Sequence, residues 1–506
     1  MSERAFDPDA LAPLLASVPG TNVPTWLADA LRDGLGGVVY FGYNTPDAPT
    51  AARLSADITR AAGREVMIAI DEEGGDVSRL FAAVGSPAPS ARGFGWIDDP
   101  VVTRAHARAL GGLLAACQVT MTCAPVADVA SEPRNPVIGT RAFGRTVADV
   151  VRHAGAFADG IREAGVLACA KHFPGHGETD VDSHVGLPRI DLDAERMRRE
   201  HVAAFAGLKG RVDAVMTAHI LVPALGEGPA SLGAWSTDLI GEAVPGALIV
   251  TDALDMGAIT ESVGYAEACV RSLEAGAHLL CLGTSIRRDA EAMLREAHDG
   301  IAGALDSGRL RRGDLRRRAA EVRTVVEAAA VRRAELQART GPSPDEVAAA
   351  YDALALSLAD RAAHWHPAPP ALARRGSASA PRVRVLDARR LHDYAAGAGR
   401  NFLVPALESE GIEVVEGDTE SEAEAGAGAG VEATIVLTRL GLASDADMQA
   451  LASLPPGQEV IVVHTGVPEN APALEAPCVL TYGAGRGPLG AAARLIARAM
   501  TDGQAA

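Results

Sequence analysis

Between Leu35 and Leu282 the chain alternates short apolar runs with longer amphipathic or polar stretches. The runs are Leu35–Phe41, Val66–Asp71, Val119–Val126, Val166–His172, Ala214–Ile220, Ala247–Asp252 and Ala277–Leu282. They are rich in β-branched residues and nearly continuous in hydrophobicity, the pattern of strands buried on both faces. The stretches between them, such as Asp149–Ala164 and Tyr265–Ala275, carry apolar residues at helical spacing. Repeated strand–helix units imply parallel strands. Seven units in this span fit a (β/α)8 TIM-type barrel better than an open doubly wound sheet, with one unit not apparent. No Gly-x-Gly-x-x-Gly follows the first run, which weakens a dinucleotide-binding fold.

The pattern then breaks and restarts. Arg309–Ala338, rich in Arg, Glu and Ala, reads as a helix closing the first domain, and Gly341-Pro342-Ser343-Pro344 marks a boundary. Tyr351–Ala363 reads as a helix, and the Pro/Ala/Ser-rich stretch His366–Pro381 as an exposed linker. Runs at Val383–Asp387, Ala433–Thr438, Glu459–Thr465 and Cys478–Tyr482, with a final helix Pro488–Met500, predict a smaller three-layer α/β/α sandwich. The expected division is a catalytic barrel over residues 1–340, a linker region over 341–381 and an accessory C-terminal domain over 382–506. Glu420–Gly430, acidic and Gly/Ala-rich, is expected to be a disordered loop.

Composition narrows the classes. Lys+Arg 47 against Asp+Glu 65 gives a net charge of −18 over 506 residues, and there is no basic run. Such a chain is a poor partner for nucleic acid or an anionic membrane. The six cysteines are scattered, with no Cys-x-x-Cys pair, and read as reduced buried thiols. Met1–Pro13 has no basic region followed by an apolar stretch, and no run reaches the roughly 18 apolar residues of a membrane span. The expectation is a cytoplasmic protein without an anchor.

The chemistry gathers where the runs end. Asp71, Asp128, Lys171-His172, His219 and Asp252 each lie at or just after the C-terminal end of a predicted strand. In a barrel those ends converge on one face, where active sites occur. The densest stretch is Lys171-His172-Phe173-Pro174-Gly175-His176-Gly177-Glu178-Thr179-Asp180-Val181-Asp182-Ser183-His184. Asp182 and His184 are two apart, so in an extended loop the carboxylate can orient an imidazole suited to general acid/base work, the alternative being a surface turn. Asp252 suits nucleophilic attack or stabilisation of a cationic transition state, or else a helix N-cap. His172 and His176 are four apart, but Pro174 and Gly175 between them argue against a helical zinc pair; a metal site with Asp182 or His184 stays open. Asp71 can hold vicinal hydroxyls, and Arg79 and Arg141 offer rigid donor forks or, taken singly, surface ion pairs.

Taken together, IDEEGGDVSRL from Ile70, APVADV from Ala124, NPVIGTRAFGRT from Asn135, KHFPGHGETDVDSH from Lys171, VMTAHI from Val215 and IVTDALDMGAI from Ile249 resemble glycoside hydrolase family 3, in its β-N-acetylhexosaminidase branch. The resemblance covers about the first 340 residues, and the C-terminal part resembles that family's α/β sandwich more weakly. It implies a retaining double displacement with Asp252 as nucleophile, His184 as acid/base and Asp182 as its dyad partner. It also implies that Asp71, Arg79, Arg141, Lys171 and His172 bind N-acetylglucosamine in the −1 subsite, with no metal and no cofactor. The expected partner is a small glycoside, with a terminal β-linked N-acetylglucosamine, often from peptidoglycan fragments. A phosphorylase using phosphate as acceptor, a β-glucosidase, a metal-dependent hydrolase and a non-catalytic sugar-binding protein are the alternatives. Two departures stand out: His278 occupies a position where the family usually has aspartate, and Gly93-Phe94-Gly95-Trp96 is atypical, with Trp96 bordering the sugar or packed in the core.

Overall fold

The computed structural model describes residues 6–179, 186–286, 288–367, 380–389, 392–393, 397–398, 400–416, 431–439, 446–454, 458–472 and 476–502. Eight parallel strands close on themselves in chain order: β1 (Leu14–Ser17), β2 (Gly37–Tyr40), β3 (Met67–Ile70), β4 (Met121–Thr122), β5 (Leu167–Phe173), β6 (Ala214–Thr217), β7 (Leu248–Thr251) and β8 (Leu280–Cys281). The circle closes where Leu14 pairs with Leu280 and where Val250 bridges Leu279. The unit not apparent in the hydrophobic pattern is β1, a four-residue strand immediately after Pro13.

Each strand is apolar on both faces for different reasons. Met67 and Ala69 of β3 join Leu15, Met121, Cys169, Ala214 and Val250 in the barrel interior, whereas Ile68 and Ile70 pack outward beneath the helices. This is the two-residue alternation of a strand with no wet face. All six cysteines are free and buried.

The N-terminal ends of the strands are covered by helix α3 (Arg312–Thr340), while α1 (Pro100–Ala116) and α2 (Val147–Glu163) belong to the outer ring. Val322, Val326 and Ala329 of α3 complete the interior cluster from below. Arg333 Nη1 donates to Val119 O at 3.2 Å and Arg318 Nη1 to Ala277 O at 3.2 Å. His278 belongs to the same seam: its Nδ1 accepts from Ile249 N at 3.1 Å, and Nε2 lies 3.0 Å from Glu321 Oε2. The atypical histidine thus ties β7 to the closing helix, at the end of the barrel away from the strand C-termini.

Helix α4 (Pro344–Ala362) packs between α1 and the last helix, α5 (Arg486–Asp502), and links the two cores. The second sheet has the order β11-β10-β12-β13-β14-β9, with β9 (His364–His366), β10 (Arg382–Asp387), β11 (Glu413–Glu416), β12 (Ala433–Thr438), β13 (Val460–His464) and β14 (Cys478–Leu480). All pairings are parallel except β14 with β9. Residues 420–430, expected to be a loop, lie outside the described residues. No described helix is long and apolar enough to cross a membrane.

Candidate active site

The strand-end residues meet at the C-terminal mouth of the barrel. Lys171, on β5, donates from Nζ to Asp71 Oδ1 at 2.7 Å and lies 2.7 Å from Glu73 Oε1. Its side chain is only 3% exposed, so one ammonium is shared by two carboxylates in a site nearly free of solvent. Burial alone lowers the Lys171 pKa, but Asp71 and Glu73 outweigh it and raise it above the ordinary value.

Glu73 is held from a second side. Arg141, on the short turn Gly139–Arg141, meets its carboxylate bidentately, Nε to Oε2 at 2.9 Å and Nη2 to Oε1 at 2.7 Å. A planar fork against a carboxylate is the geometry in which arginine outperforms lysine. Burial pushes the Glu73 carboxyl up, yet Arg141 and Lys171 together pull it down to about 2. Arg141 also donates from Nη1 to Val137 O at 3.1 Å and from Nη2 to His172 Nε2 at 3.2 Å. Arginine has no acceptor, so His172 Nε2 accepts, and its Nδ1–H donates to Asp128 Oδ2 at 2.7 Å. Both ring nitrogens of His172 are thereby engaged, leaving none for a metal.

Asp128 anchors the start of the loop after β5. Besides His172 Nδ1 its carboxylate accepts the backbone N–H groups of His172 and His176, the latter at 2.7 Å. His176 Nδ1 lies 3.0 Å from Thr179 Oγ1, and Asn135 Nδ2 donates to His176 O at 2.8 Å. Burial and the neighbouring His172 hold the His176 pKa down, to about 4. His176 is thus built into the turn that aims the loop. Asp182 and His184, farther along this loop, lie outside the described residues.

Asp252 follows β7 and is fixed by its own turn, Ala253 N donating to Oδ1 at 2.8 Å. Burial raises its pKa, but His219, His172, the Ala253 N–H and Lys171 outweigh that and leave it below the usual carboxylate range. His219 is itself clamped, Nδ1 at 2.7 Å from Ser231 Oγ and Nε2 at 2.9 Å from Ala253 O. The aspartate is therefore ionised at neutral pH and rigidly placed.

Asp71 and Arg79 are the more open members of the set, with side chains 24% and 15% exposed against 3% for Lys171 and 7% for Arg141. Arg79 Nη2 stands 3.8 Å from Asp71 Oδ2. Burial pushes the Asp71 carboxyl up, but Lys171 and Arg79 hold it below its ordinary value. An ionised acceptor beside a guanidinium fork and an ammonium can grip a neutral, hydroxyl-rich ligand through several hydrogen bonds at once.

The structure thus brings Asp71, Arg79, Arg141, Lys171 and His172 into one network and sets Asp252 within electrostatic reach of it. Glu73 was not singled out from the sequence, and Asp128 was read only as a strand-end residue without a role. The signal for Glu73 was present: in an extended segment it shares a face with Asp71, two residues back, while Glu72 turns away. Trp96 does not border this network; it stacks on His364 with ring centroids 4.0 Å apart, against the second domain.

The model of the glycosyl hydrolase family 3 N-terminal domain matches residues 17–325. A β-hexosaminidase of Mycobacterium tuberculosis, LpqI, is 36% identical over 255 residues, 48% of this chain and 63% of that protein. β-Hexosaminidase A of Pseudoalteromonas piscicida is 30% identical over 321 residues, 58% of this chain and 54% of its own length. The chain thus spans less than two thirds of either of these relatives. Among solved structures, the family 3 β-N-acetylglucosaminidase of Paenibacillus sp. FPU-7 superposes with a TM-score of 0.83 at 27% identity, over 98% of this chain and 97% of that one.

Proposed function

The chain belongs to glycosyl hydrolase family 3, and on that premise we propose that it is a retaining exo-β-N-acetylglucosaminidase acting on small glycosides with a terminal β-linked N-acetylglucosamine. The related proteins named β-hexosaminidase and the family 3 β-N-acetylglucosaminidase structure support this choice of substrate. In this reading Asp252 attacks the anomeric carbon while His184, oriented by Asp182, protonates the departing glycosidic oxygen. Water then displaces Asp252 from the covalent glycosyl ester, giving its proton to His184, so two inversions retain the configuration. Asp71, Arg79, Arg141, Lys171 and His172 hold the sugar hydroxyls and acetamido group.

The observation that carries the reading is the ionised, turn-fixed Asp252 at the end of β7, facing the ring of paired donors and acceptors. A nucleophile must be deprotonated and must not need to reorganise when the substrate arrives. Incubation with an activated, fluorinated N-acetylglucosaminyl donor should add one glycosyl unit to the peptide containing Asp252, read by mass spectrometry. Asp252→Ala should show neither adduct nor turnover. Labelling of a different carboxylate, or an Asp252→Ala variant with wild-type turnover, would overturn the assignment.

A further inference from the structure

The loop after β3 aims neighbouring carboxylates at different domains. Glu73 faces the barrel mouth, and the next two residues, Gly74 and Gly75, have φ of +73° and +71°, making a tight turn closed by Glu73 N donating to Val77 O at 3.0 Å. A Cβ on Gly75 would lie 2.3 Å from Ser90 Cα, so the turn is pressed against Ser90. Asp76 emerges on the far side and is almost buried, its side chain 4% exposed. Its Oδ2 accepts from Thr140 Oγ1 at 3.0 Å and lies 3.1 Å from Arg439 Nη1; its Oδ1 accepts from Ala484 N at 2.8 Å. Arg439 and Ala484 follow β12 and β14 of the second domain. A second tie supports the first: Asp76 N donates to Ser90 Oγ at 3.0 Å, and Ser90 N to Tyr482 O at 2.8 Å.

We propose that the second domain completes the sugar-binding side of the site through Asp76, a positioning residue for Arg141 and Glu73. This rests on the reading above, in which Arg141 holds the sugar. Thr140 and Arg141 are adjacent on one short turn, and Glu73 and Asp76 flank one glycine turn, so two loops are cross-linked twice. The inner cross-link is Glu73–Arg141, and the outer is Asp76–Thr140. A buried carboxylate without a compensating cation is costly; among the described residues the barrel gives the Asp76 carboxylate the Thr140 hydroxyl, and the second domain gives it the Ala484 N–H and the charge of Arg439. The domain therefore does more than cover the barrel: it fixes the register in which Arg141 meets Glu73 and His172.

The test uses the full-length chain, with Arg439→Ala, Arg439→Lys and Thr140→Val assayed on 4-nitrophenyl N-acetyl-β-glucosaminide. Arg439→Ala should lower kcat/KM by about 10- to 100-fold, the scale of a small misplacement of a binding group. The loss should appear as a raised KM with kcat changed far less, because sugar-holding contacts act before as well as during the reaction. Arg439→Lys should restore most of it by returning the positive charge. Thr140→Val should add little in the Arg439→Ala background, since both act on one carboxylate. A domain that merely adheres to the barrel predicts fewer active molecules, that is, a lower apparent kcat at unchanged KM, and that result overturns the proposal. Hydrogen exchange separates this outcome from failure of the substrate reading. Peptides spanning residues 73–79 and 137–142 should exchange faster in Arg439→Ala while those of β6 and β7 do not. If both loops keep wild-type protection, the proposal falls. If the wild type does not turn over the glycoside but the two loops still loosen, the clasp stands and the proposed activity falls.

Discussion

On its inner side, the loop after β3 presents Asp71 and Glu73 to Lys171, Arg79 and Arg141, and every carboxylate there has a cation beside it. On the side facing α1 and α4, the same loop buries Glu72 completely and gives it only neutral hydrogen-bond donors. Its Oε2 accepts from Ser78 Oγ and from the backbone N–H groups of Arg79 and Leu80, at 2.8–3.0 Å. Its Oε1, both ring nitrogens of His106 on α1 and the hydroxyl of Tyr351 on α4 have no hydrogen-bond partner among the described residues. The result is a split between adjacent glutamates, one fully buried and one nearly so. Burial pushes the Glu72 carboxyl up to about 7 against the pull of its three donors, whereas Arg141 and Lys171 bring Glu73 to about 2. Burial does not decide charge here; the presence of a cation within contact distance does.

The sharpest way to break that contrast is to remove the shared cation. Lys171→Met should leave Asp71 and Glu73 with only Arg79 and Arg141 to offset their charge, costing about 3 kcal/mol or more of stability by urea unfolding. Turnover should fall by about 100-fold or more with it. Stability near that of wild type would mean that Arg141 and Arg79 suffice.

A smaller effect, with a defined sign, belongs to Glu72. Its folded pKa of about 7 exceeds the ordinary 4.5. Its stabilising contribution is therefore complete below about pH 4.5 and is lost as pH rises through 7, by about 3 kcal/mol in all. Glu73 runs the other way: its contribution is present above about pH 4.5 and is lost as pH falls toward 2. Glu72→Gln keeps an acceptor for the three donors but cannot ionise, so its stability relative to wild type should climb between pH 5 and 8. A difference that stays flat across that range would show Glu72 to be as well compensated as Glu73. The smallest effect is expected from Tyr351→Phe, which removes a buried hydroxyl without a partner and should change stability by less than about 1 kcal/mol in either direction. A larger loss in thermal unfolding would assign that hydroxyl a bond.

The barrel was legible because seven of its strands are apolar on both faces, and that signal survives without any long-range information. β1 was not, since Leu14–Ser17 contains no β-branched residue and directly follows Pro13; only its pairing with Gly37 and Leu280 defines it. In the second sheet, β9 and β11 went unread for a related reason: His364–His366 carries two histidines at an antiparallel edge, and Glu413–Glu416 begins and ends in glutamate. Among site residues, Asp71, Lys171, His172 and Asp252 were visible as polar residues closing apolar runs. Arg141 needed the resemblance, because it sits on an isolated turn with no periodic pattern. Glu73 and Asp128 acquire their roles from partners 68 and 44 residues away, and no local pattern encodes such a pairing.

The Asp76 contacts also have a consequence for the newborn chain. Ala484 follows Asp76 by 408 residues, and ribosomes add about 5–20 residues per second, so roughly 20–80 s pass between the two. Every strand of the barrel has been made well before Ala484 exists, and so have Glu73, Arg141 and Lys171. The turn beside Glu73 meanwhile waits for the charge that Arg439 brings. A nascent barrel still attached to the ribosome would thus have its interior packed before the loops carrying Glu73 and Arg141 are locked, and that locking would arrive only with β14 and the turn that follows it.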